Sequence, residues 1–434
     1  MLKYLSVEAQ VDFRPMREPP GRASMRPMND RRVAIASLVV LSAIGAELLA
    51  AYDDSTGRPL ELLVAVAFFA ALYGCPALLL REYARRTGRG WPAMLLLATA
   101  AGLLQAGVID QSLFADRYGE VRDWEQWVQA TYVEPFGISA YLAQGFVLGH
   151  VVFSFCAPIA LAEALRPAIA HEPWLRRRGI VVAAALWLLV AALIMAEESH
   201  ATTGELAVTL ALVAALTGAA RGAPRAGRAR GAAGGGERGA APREFAAGRP
   251  ERGAAGRGER GAASRGGSAG RRERGAAQRG GAAGGGERGA APRGGSAGRR
   301  ARGAAPRLRT VLVVSFVLAY AHEFPPATWA GFAVAMAAVA SGVLLARAAR
   351  REGWGGAHIA AVATGVLLAR GALAFTYYPV VGETSAAQKY AHNVIMLTLV
   401  GATGAYAIRR ASLPACSSRS SARSSPPRSS PSSG

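Results

Sequence analysis

The chain has 434 residues, of which 51% are hydrophobic, and its formal net charge is +21 at pH 7. The segment 221–309 contains 22 Arg and 6 Glu, so it contributes +16 of that charge and leaves the remainder of the chain near +5. The basic excess therefore belongs to one segment, which argues against a basic folded nucleic-acid-binding domain. The remaining balance is typical of a membrane protein with basic cytoplasmic loops.

Ten apolar runs of membrane-crossing length follow one another along the chain. A bilayer core of ~30 Å requires about 20 residues of helix, because a helix satisfies its own backbone hydrogen bonds in lipid. The sequence therefore predicts an all-α fold, a polytopic transmembrane helix bundle of about ten spans. The predicted spans are 33–51, 60–80, 91–109, 137–165, 179–196, 205–220, 308–324, 327–346, 357–378 and 389–408. The seventh is short and meets Pro325-Pro326, so a re-entrant hairpin formed with the eighth is the alternative there.

The loops between these spans alternate between arginine clusters and acidic segments that are poor in Lys and Arg. The basic loops are 81–90, 166–178 and 347–356, and the others are 52–59, 110–136, 197–204 and 380–388. Because Lys and Arg stay on the cytoplasmic side, this alternation predicts ten crossings with both termini in the cytoplasm. The predicted location is a bacterial plasma membrane, with the lipid bilayer as the main partner.

A low-complexity segment of Gly, Ala and Arg divides the spans into six plus four. It has little apolar surface to bury, so it is predicted to be a disordered linker that lies against anionic lipid headgroups. Phe245 is its only aromatic residue, which disfavours nucleic-acid binding by stacking. The predicted organisation is a disordered basic arm at 1–32, spans one to six at 33–220, the linker at 221–307, spans seven to ten at 308–410 and a disordered Ser/Pro/Arg tail at 411–434.

The loop after the third span contains a short amphipathic segment. Trp124, Trp127, Val128 and Tyr132 recur at helical spacing, which indicates a helix with one aromatic face. Two interpretations stay open: a helix in the lipid headgroup layer, or a loop helix packed on the protein.

Ionisable and amide side chains within the spans gather at one depth. At 1.5 Å per residue, Glu47, Gln105, His322 and Arg370 lie ~20–21 Å from the cytoplasmic ends of their spans, and Gln144 reaches a similar level from the other side. An ionisable residue inside a span costs ~2.5–3.5 kcal/mol, so such residues usually face the bundle interior or a cavity. One interpretation is an outward-facing pocket that binds a small polar ligand through these five residues. The other is a structural ion pair between Arg370 and Glu47 with hydrogen-bonding glutamines around it.

The other polar positions in the spans have simpler interpretations. His150 is expected to be a hydrogen-bonded core histidine, while Gly145 and Gly149 favour close approach of a neighbouring helix. Pro158 is expected to bend the same span. Acidic and histidine residues near the outer rim have no metal-binding spacing, and the three cysteines form no CxxC motif. No metal, cofactor or catalytic residue is predicted; the rim residues are Glu197, Glu198, His200, His322, Glu323 and His392.

Three motifs carry a resemblance to a known group of proteins. They are LREYARRTGRGWP at 80–92, GLLQAGVIDQSLF at 102–114 and APIALAEALRP at 157–167, which PWLRRRG follows. These segments resemble a group of uncharacterised multi-pass membrane proteins of actinomycetes and some bacilli, in which two Glu residues stand where this chain has Gln105-Ala106. The resemblance implies a multi-pass membrane protein and no particular activity.

A more remote similarity concerns the CPBP-type intramembrane proteases. Phe146 and His150 have the FxxxH spacing of those enzymes, but Glu197-Glu198 follows the histidine and position 202 is Thr. Three functions therefore stay open. The leading one is a transporter-like or ligand-binding membrane protein, and the alternatives are a degenerate relative of an intramembrane protease and a membrane scaffold without a small-molecule site.

Overall fold

The computed structural model describes residues 26–52, 54–118, 121–197, 200–225, 306–349, 354–377, 379 and 381–413. Over these residues the chain is an all-α membrane bundle, which confirms the predicted fold class. Most of the predicted arm, nearly all of the linker and nearly all of the tail lie outside the described residues, so the predicted domain boundaries stay predictions.

The helices follow the predicted apolar runs closely. Four of the long ones contain a short π-helical segment, in which one extra residue is inserted into the turn. The helices are α1 (Arg26–Ala43, continued by the π segment Ile44–Leu48), α2 (Pro59–Arg86), α3 (Trp91–Ile109), α4 (Trp124–Gln129), α5 (Ala140–Leu165), α6 (Arg177–Glu197), α7 (Thr203–Gly222), α8 (Leu308–Glu323), α9 (Trp329–Ala349), α10 (Gly356–Leu373) and α11 (Ala386–Ser412). A two-stranded antiparallel hairpin, β1 (Tyr132–Val133) and β2 (Ile138–Ser139), precedes α5.

Eight helices of the described residues are long and apolar enough to cross a membrane. The other two long helices are α1, whose first turns carry Asp30, Arg31 and Arg32, and α8, which has 16 residues. Eight crossings are therefore supported by length and composition, and the count of ten stays a prediction.

The centre of the bundle is formed by α5 and α10. A continuous buried cluster joins Leu41 of α1, Leu161 of α5, Leu367 of α10 and Val400 of α11. The helices before and after the predicted linker thus share one core. In contrast, α6, α7 and α9 are mostly exposed and present Leu and Val side chains outward, as expected of helices that face lipid.

Two glycines set the closest helix approaches in this core. A Cβ atom at Gly365 of α10 would lie 2.3 Å from the backbone oxygen of Leu312 in α8, and one at Gly45 of α1 would lie 2.4 Å from that of Phe153 in α5. The predicted close approach at Gly145 and Gly149 is wrong, since a Cβ at either position would meet no described heavy atom within 4 Å. Spacing of small residues marks a smooth helix face but does not determine whether another helix occupies it.

The amphipathic loop segment is a helix packed on the protein, the second of its two predicted interpretations. Trp124 and Val128 of α4 are buried in a cluster with Ala115, and the Trp124 indole donates to the Ala115 carbonyl at 2.7 Å. The Trp124 ring also stacks on Phe146 of α5. The aromatic face of α4 therefore covers the end of the bundle at which α5 begins.

Candidate functional site

Each of the four π-helical segments carries a polar side chain inside the bundle. They are Glu47 in α1, Tyr73 in α2, Gln105 in α3 and His150 in α5. Each inserted residue rotates the rest of the helix, and such segments are frequent at functional sites. Proline follows the segments of α2 and α5, where the missing N–H leaves a carbonyl unbonded and loosens the regular pattern.

Glu47 accepts hydrogen bonds from two tyrosines. The Tyr73 hydroxyl donates to its carboxylate at 2.5 Å, and the Tyr52 hydroxyl donates to the other oxygen. The Tyr73 ring stacks on His150, with 5.4 Å between centroids, and His150 Nδ1 lies 3.2 Å from the Ser154 hydroxyl. This cluster joins α1, α2 and α5, and it agrees with the prediction of a hydrogen-bonded core histidine at position 150.

Arg370 of α10 forms its ion pair with Glu323, at the end of α8. Its Nη1 atom lies 2.5 Å from Glu323 Oε2, its Nη2 atom donates to the Ala46 carbonyl at 3.1 Å, and its guanidinium lies 4.7 Å from the Phe153 ring centroid. The sequence predicts an Arg370–Glu47 ion pair, with Glu323 at the rim. The structure shows Arg370 paired with Glu323 instead, while Glu47 is the residue after Ala46, whose carbonyl accepts from Arg370.

The carbonyl of Ala46 is available because α1 ends at Leu48, and the last four carbonyls of a helix have no partner within it. The amide of Ala50 donates to the Glu47 carbonyl at 3.1 Å. Three carbonyls at this end of α1 accept from side chains of the C-terminal half of the chain. They are those of Ala46, Leu48 and Ala50, which bind Arg370 Nη2, His392 Nε2 and the Tyr377 hydroxyl.

A cavity of about 160 Å³ lies beside the Arg370–Glu323 pair. Its lining is partly polar and partly apolar, and the lining residues are Glu323, Phe324, Arg370, Leu373, Thr376 and Tyr377. The hydroxyls of Thr376 and Tyr377 donate to backbone carbonyls, at 2.8 and 2.5 Å. Burial raises the pKa of Tyr377 to about 12, so this tyrosine stays a protonated donor at neutral pH.

Two side-chain nitrogens of this cluster lack a partner among the described residues. Arg370 Nε and His322 Nε2 are both buried, and neither has a hydrogen-bond acceptor within reach in the part of the chain that the structure describes. His322 Nδ1 lies 3.0 Å from Glu323 Oε1, so both carboxylate oxygens of Glu323 are occupied. The cluster atoms that lack hydrogen-bond partners among the described residues are thus on the arginine and the histidine, and not on the carboxylate of Glu323.

The five residues predicted to line the pocket are only partly brought together. His322 and Arg370 meet through Glu323, and Glu47 lies one residue from the Ala46 carbonyl. The Gln105 amide donates to Asp110 Oδ2 at 3.1 Å, and no described hydrogen bond joins it to Arg370. Gln144 Oε1 is buried without a partner among the described residues. Ligand binding by these residues stays a prediction.

Three tyrosines complete the cluster around Glu47 and Arg370, and the sequence did not predict them. Tyr52, Tyr73 and Tyr377 each donate to a carboxylate or carbonyl of the π-helical end of α1. Tyrosine inside an apolar run is a weak signal, since its ring suits lipid and core alike. Its hydroxyl requires a partner when buried, which is the feature that could have linked Tyr73 to Glu47.

His392, near the rim, is held by backbone groups. His392 accepts from the Gly57 amide at Nδ1 and donates to the Leu48 carbonyl at 2.8 Å. Among the described residues, no group of three or more His, Cys, Asp or Glu side chains could hold a metal ion.

The opposite end of the bundle contains a second buried charge network, which we call the arginine end. Glu163 of α5 accepts from Arg81 Nε at 3.0 Å and from Arg85 Nη2 at 2.5 Å. The other Arg81 nitrogens donate to the carbonyls of Ala170 and Glu172, and its guanidinium stacks on the Trp174 ring, 3.2 Å from the centroid. Each guanidinium nitrogen of Arg81 has a partner, so this network is a clamp between α2, α5 and the segment before α6.

These features define an integral membrane protein with an all-α bundle, a polar cluster near one end and a buried arginine clamp at the other. Residues 37–223 match the sequence model of a family described as an uncharacterized membrane protein family. The match confirms the resemblance to an uncharacterised multi-pass membrane family, and it does not show the similarity to CPBP-type proteases. It spans α2, α3, α5, α6 and α7, and it contains the residues of the arginine clamp. No curated protein and no solved structure matches the chain significantly.

Proposed function

We propose that the protein is a transporter-like or ligand-binding membrane protein that takes up a small polar ligand in the cavity beside Arg370. The observation that carries this proposal is the incomplete hydrogen bonding of a buried, charged cluster at a cavity wall. Arg370 Nε and His322 Nε2 have no partner among the described residues, although Arg370 lines a space of about 160 Å³. Buried polar groups normally find partners, so these atoms are suited to a ligand.

The arginine end supplies an internal comparison. Arg81 is fully buried, and each of its nitrogens donates to a carboxylate or a carbonyl. An Nε without a hydrogen-bond partner is not by itself unusual among the described residues, since Arg31, Arg89 and Arg166 also have one. Arg370 differs from Arg81 in its hydrogen bonding and from those three arginines in that it lines the cavity. Since an intramembrane charge costs ~2.5–3.5 kcal/mol, its retention without full pairing favours a role in binding.

We propose further that the cavity faces the exterior of the cell. The arginine end carries Arg31, Arg81, Arg85 and Arg86, and the rule that positive charge is retained in the cytoplasm assigns that end to the inside. Ten crossings then place both termini in the cytoplasm of a cell whose plasma membrane holds the protein. The Arg-rich segment between α7 and α8 would lie on the same side, against anionic headgroups.

A stability screen on the full-length protein in detergent tests the proposed site. Small carboxylates, amino acids, amides and amines are added in turn, and we expect one class to raise the unfolding temperature of the wild type. A ligand at 100 times its Kd stabilises the folded state by about 2.7 kcal/mol. Arg370→Gln should abolish the shift, and uptake of the identified solute into proteoliposomes would separate a transporter from a receptor.

The matched control is Arg58→Gln. Arg58 lies at the same end of the bundle, but it is exposed and pairs with Glu61 on the surface. It should keep the response of the wild type. If no solute stabilises the wild type more than it stabilises Arg370→Gln, the cluster is structural. That result would favour a membrane scaffold without a small-molecule site. Cleavage of a membrane substrate that His150→Ala abolishes would favour the protease alternative instead.

A further inference from the structure

We infer that the ligand is a small monocarboxylate anion and that it binds together with one proton, which the His322–Glu323 pair takes up. This inference rests on the proposed function and specifies the ligand class for the same cavity. It is carried by three observations: the cavity size, the distribution of open donors and acceptors, and the charge balance of the cluster.

The size of the cavity limits the ligand to a few atoms. Its volume is about 160 Å³, and a protein cavity of about 150 Å³ accommodates a benzene-sized molecule. About six non-hydrogen atoms therefore fit. Phe324 and Leu373 give the cavity apolar lining, and Arg370 and Glu323 give it charged lining. A ligand with a short carbon skeleton and one polar end suits such a mixed lining.

The open hydrogen-bonding groups favour an anion over a cation. Both oxygens of Glu323 are already occupied, Oε1 by His322 and Oε2 by Arg370. The side-chain hydroxyls of Thr376 and Tyr377 donate to backbone carbonyls. Arg370 Nε, in contrast, has no acceptor among the described residues. A planar guanidinium binds a carboxylate through two parallel N–H groups, so a ligand carboxylate suits this edge of Arg370.

The charge balance then requires a proton. Arg370 and Glu323 offset each other in charge, and the Glu47 carboxylate lies nearby, so an added anion leaves an excess of negative charge in a buried cluster. Burying uncompensated charge costs free energy, and a nearby group takes up a proton instead. The titratable groups that face Glu323 are His322 beside it, Arg370 from α10, Tyr141 from α5 and Tyr377 after α10. His150 and Glu47 lie near Arg370 instead, and they keep hydrogen bonds to Ser154 and to two tyrosines.

The His322–Glu323 pair is the group that accepts the proton. Arg370 and the two tyrosines are already protonated, and α9 adds no titratable side chain at this level, since its Arg347 lies at the other end. The proton enters from water and binds His322 Nε2, which has no partner among the described residues, while Nδ1 keeps its contact with Glu323 Oε1 at 3.0 Å. Arg370 is then released from Glu323 to bind the ligand carboxylate. The net reaction takes one anion and one proton from solution.

The test uses isothermal titration calorimetry on the full-length protein in detergent, with three probes of about six non-hydrogen atoms each. Lactate is the anion, lactamide is its neutral analogue and alanine is the zwitterion. Repeating each titration in two buffers of different ionisation enthalpy gives the number of protons taken up. We expect lactate to bind in preference to the other two, with about one proton per lactate and about a tenfold loss of affinity per pH unit above neutrality.

Glu323→Gln is the decisive variant. It removes the negative charge that opposes the ligand, so lactate should still bind but without proton uptake and with an affinity independent of pH. Arg370→Gln should lose lactate binding, whereas Glu61→Gln, an exposed control at the same end, should behave as the wild type. These variants separate a charge-balance effect from a loss of folding, because Glu323→Gln is expected to keep or gain affinity.

Two results would overturn the inference. In the first, alanine or lactamide binds at least as well as lactate, or lactate binds to the wild type without proton uptake. In the second, none of the three probes binds to the folded wild type. Neither result by itself refutes the proposed function, whose own test is whether any polar solute distinguishes the wild type from Arg370→Gln.

Discussion

Glu163→Gln should be among the most destabilising conservative substitutions in this protein. The Glu163 side chain is 8% exposed and accepts hydrogen bonds from two arginines, Arg81 and Arg85, which are themselves 0% and 7% exposed. Neutralising Glu163 leaves two buried guanidinium groups without their shared counter-charge. Removing one partner of a buried ion pair costs about 3–5 kcal/mol.

The matched control for this prediction is Glu172→Gln. Glu172 also pairs with an arginine at the arginine end, at 3.0 Å from Arg31, but the two side chains are 51% and 43% exposed. Exposed ion pairs contribute about 0–1 kcal/mol, because water and salt screen them. The two substitutions change charge identically, so their difference isolates burial. That difference is at least about 2 kcal/mol, which exceeds a tenfold change in the unfolding equilibrium.

The assay is reversible unfolding of the full-length protein by SDS in mixed micelles, followed by circular dichroism. Glu163→Gln should shift the midpoint to lower SDS, and raising the salt concentration should change its deficit little, since buried pairs are poorly screened. Equal midpoints for Glu163→Gln and Glu172→Gln would refute the reasoning, because burial would then not determine the contribution of these pairs. A deficit that salt removes would likewise show that the network is open to solvent.

Two further outcomes follow from the packing and from the proposed orientation. Gly365→Ala should destabilise by about 1–3 kcal/mol in thermal unfolding, because its Cβ would overlap the Leu312 backbone, whereas Gly342→Ala should not destabilise. In a variant without native cysteines, a membrane-impermeant maleimide should label Gln129→Cys on intact cells and His171→Cys only after permeabilisation. Labelling of both on intact cells would contradict the proposed topology.

The fold class and most helix bounds could be predicted because the physics is local. A run of apolar residues needs a helix in lipid whatever its neighbours are, and the predicted third and fifth spans agree with α3 and α6 within a few residues. The second helix was predicted to end at residue 80 but continues to Arg86. The charges at residues 81–90 predict a loop. Arg81 and Glu82 are instead buried in α2, where they contact segments distant in the sequence.

The partner of Arg370 could not be predicted for a geometric reason. The depth of a residue in the membrane follows from a fixed rise of about 1.5 Å per residue, so the sequence could predict that Arg370 and His322 lie at a similar depth. Depth does not give direction around the helix axis. Glu323 lies one residue beyond His322, and so differs from Glu47 in depth by only about one residue's rise. Choosing between the two carboxylates required the helix rotations, which the π segments alter.

The C-terminal end of α1 explains why the two halves of the chain meet at the polar cluster. The carbonyls of Ala46, Leu48 and Ala50 lie in its last turn or just beyond it, where carbonyls have no partner within the helix. Here they accept from Arg370, His392 and Tyr377, all of which come after the Arg-rich segment. The binding that we propose at Arg370 would therefore act on a contact between the two halves of the chain, not on one helix alone. A ligand that drew the Arg370 guanidinium toward the cavity would weaken its bond to the Ala46 carbonyl, and α10 would then be less tightly held to α1.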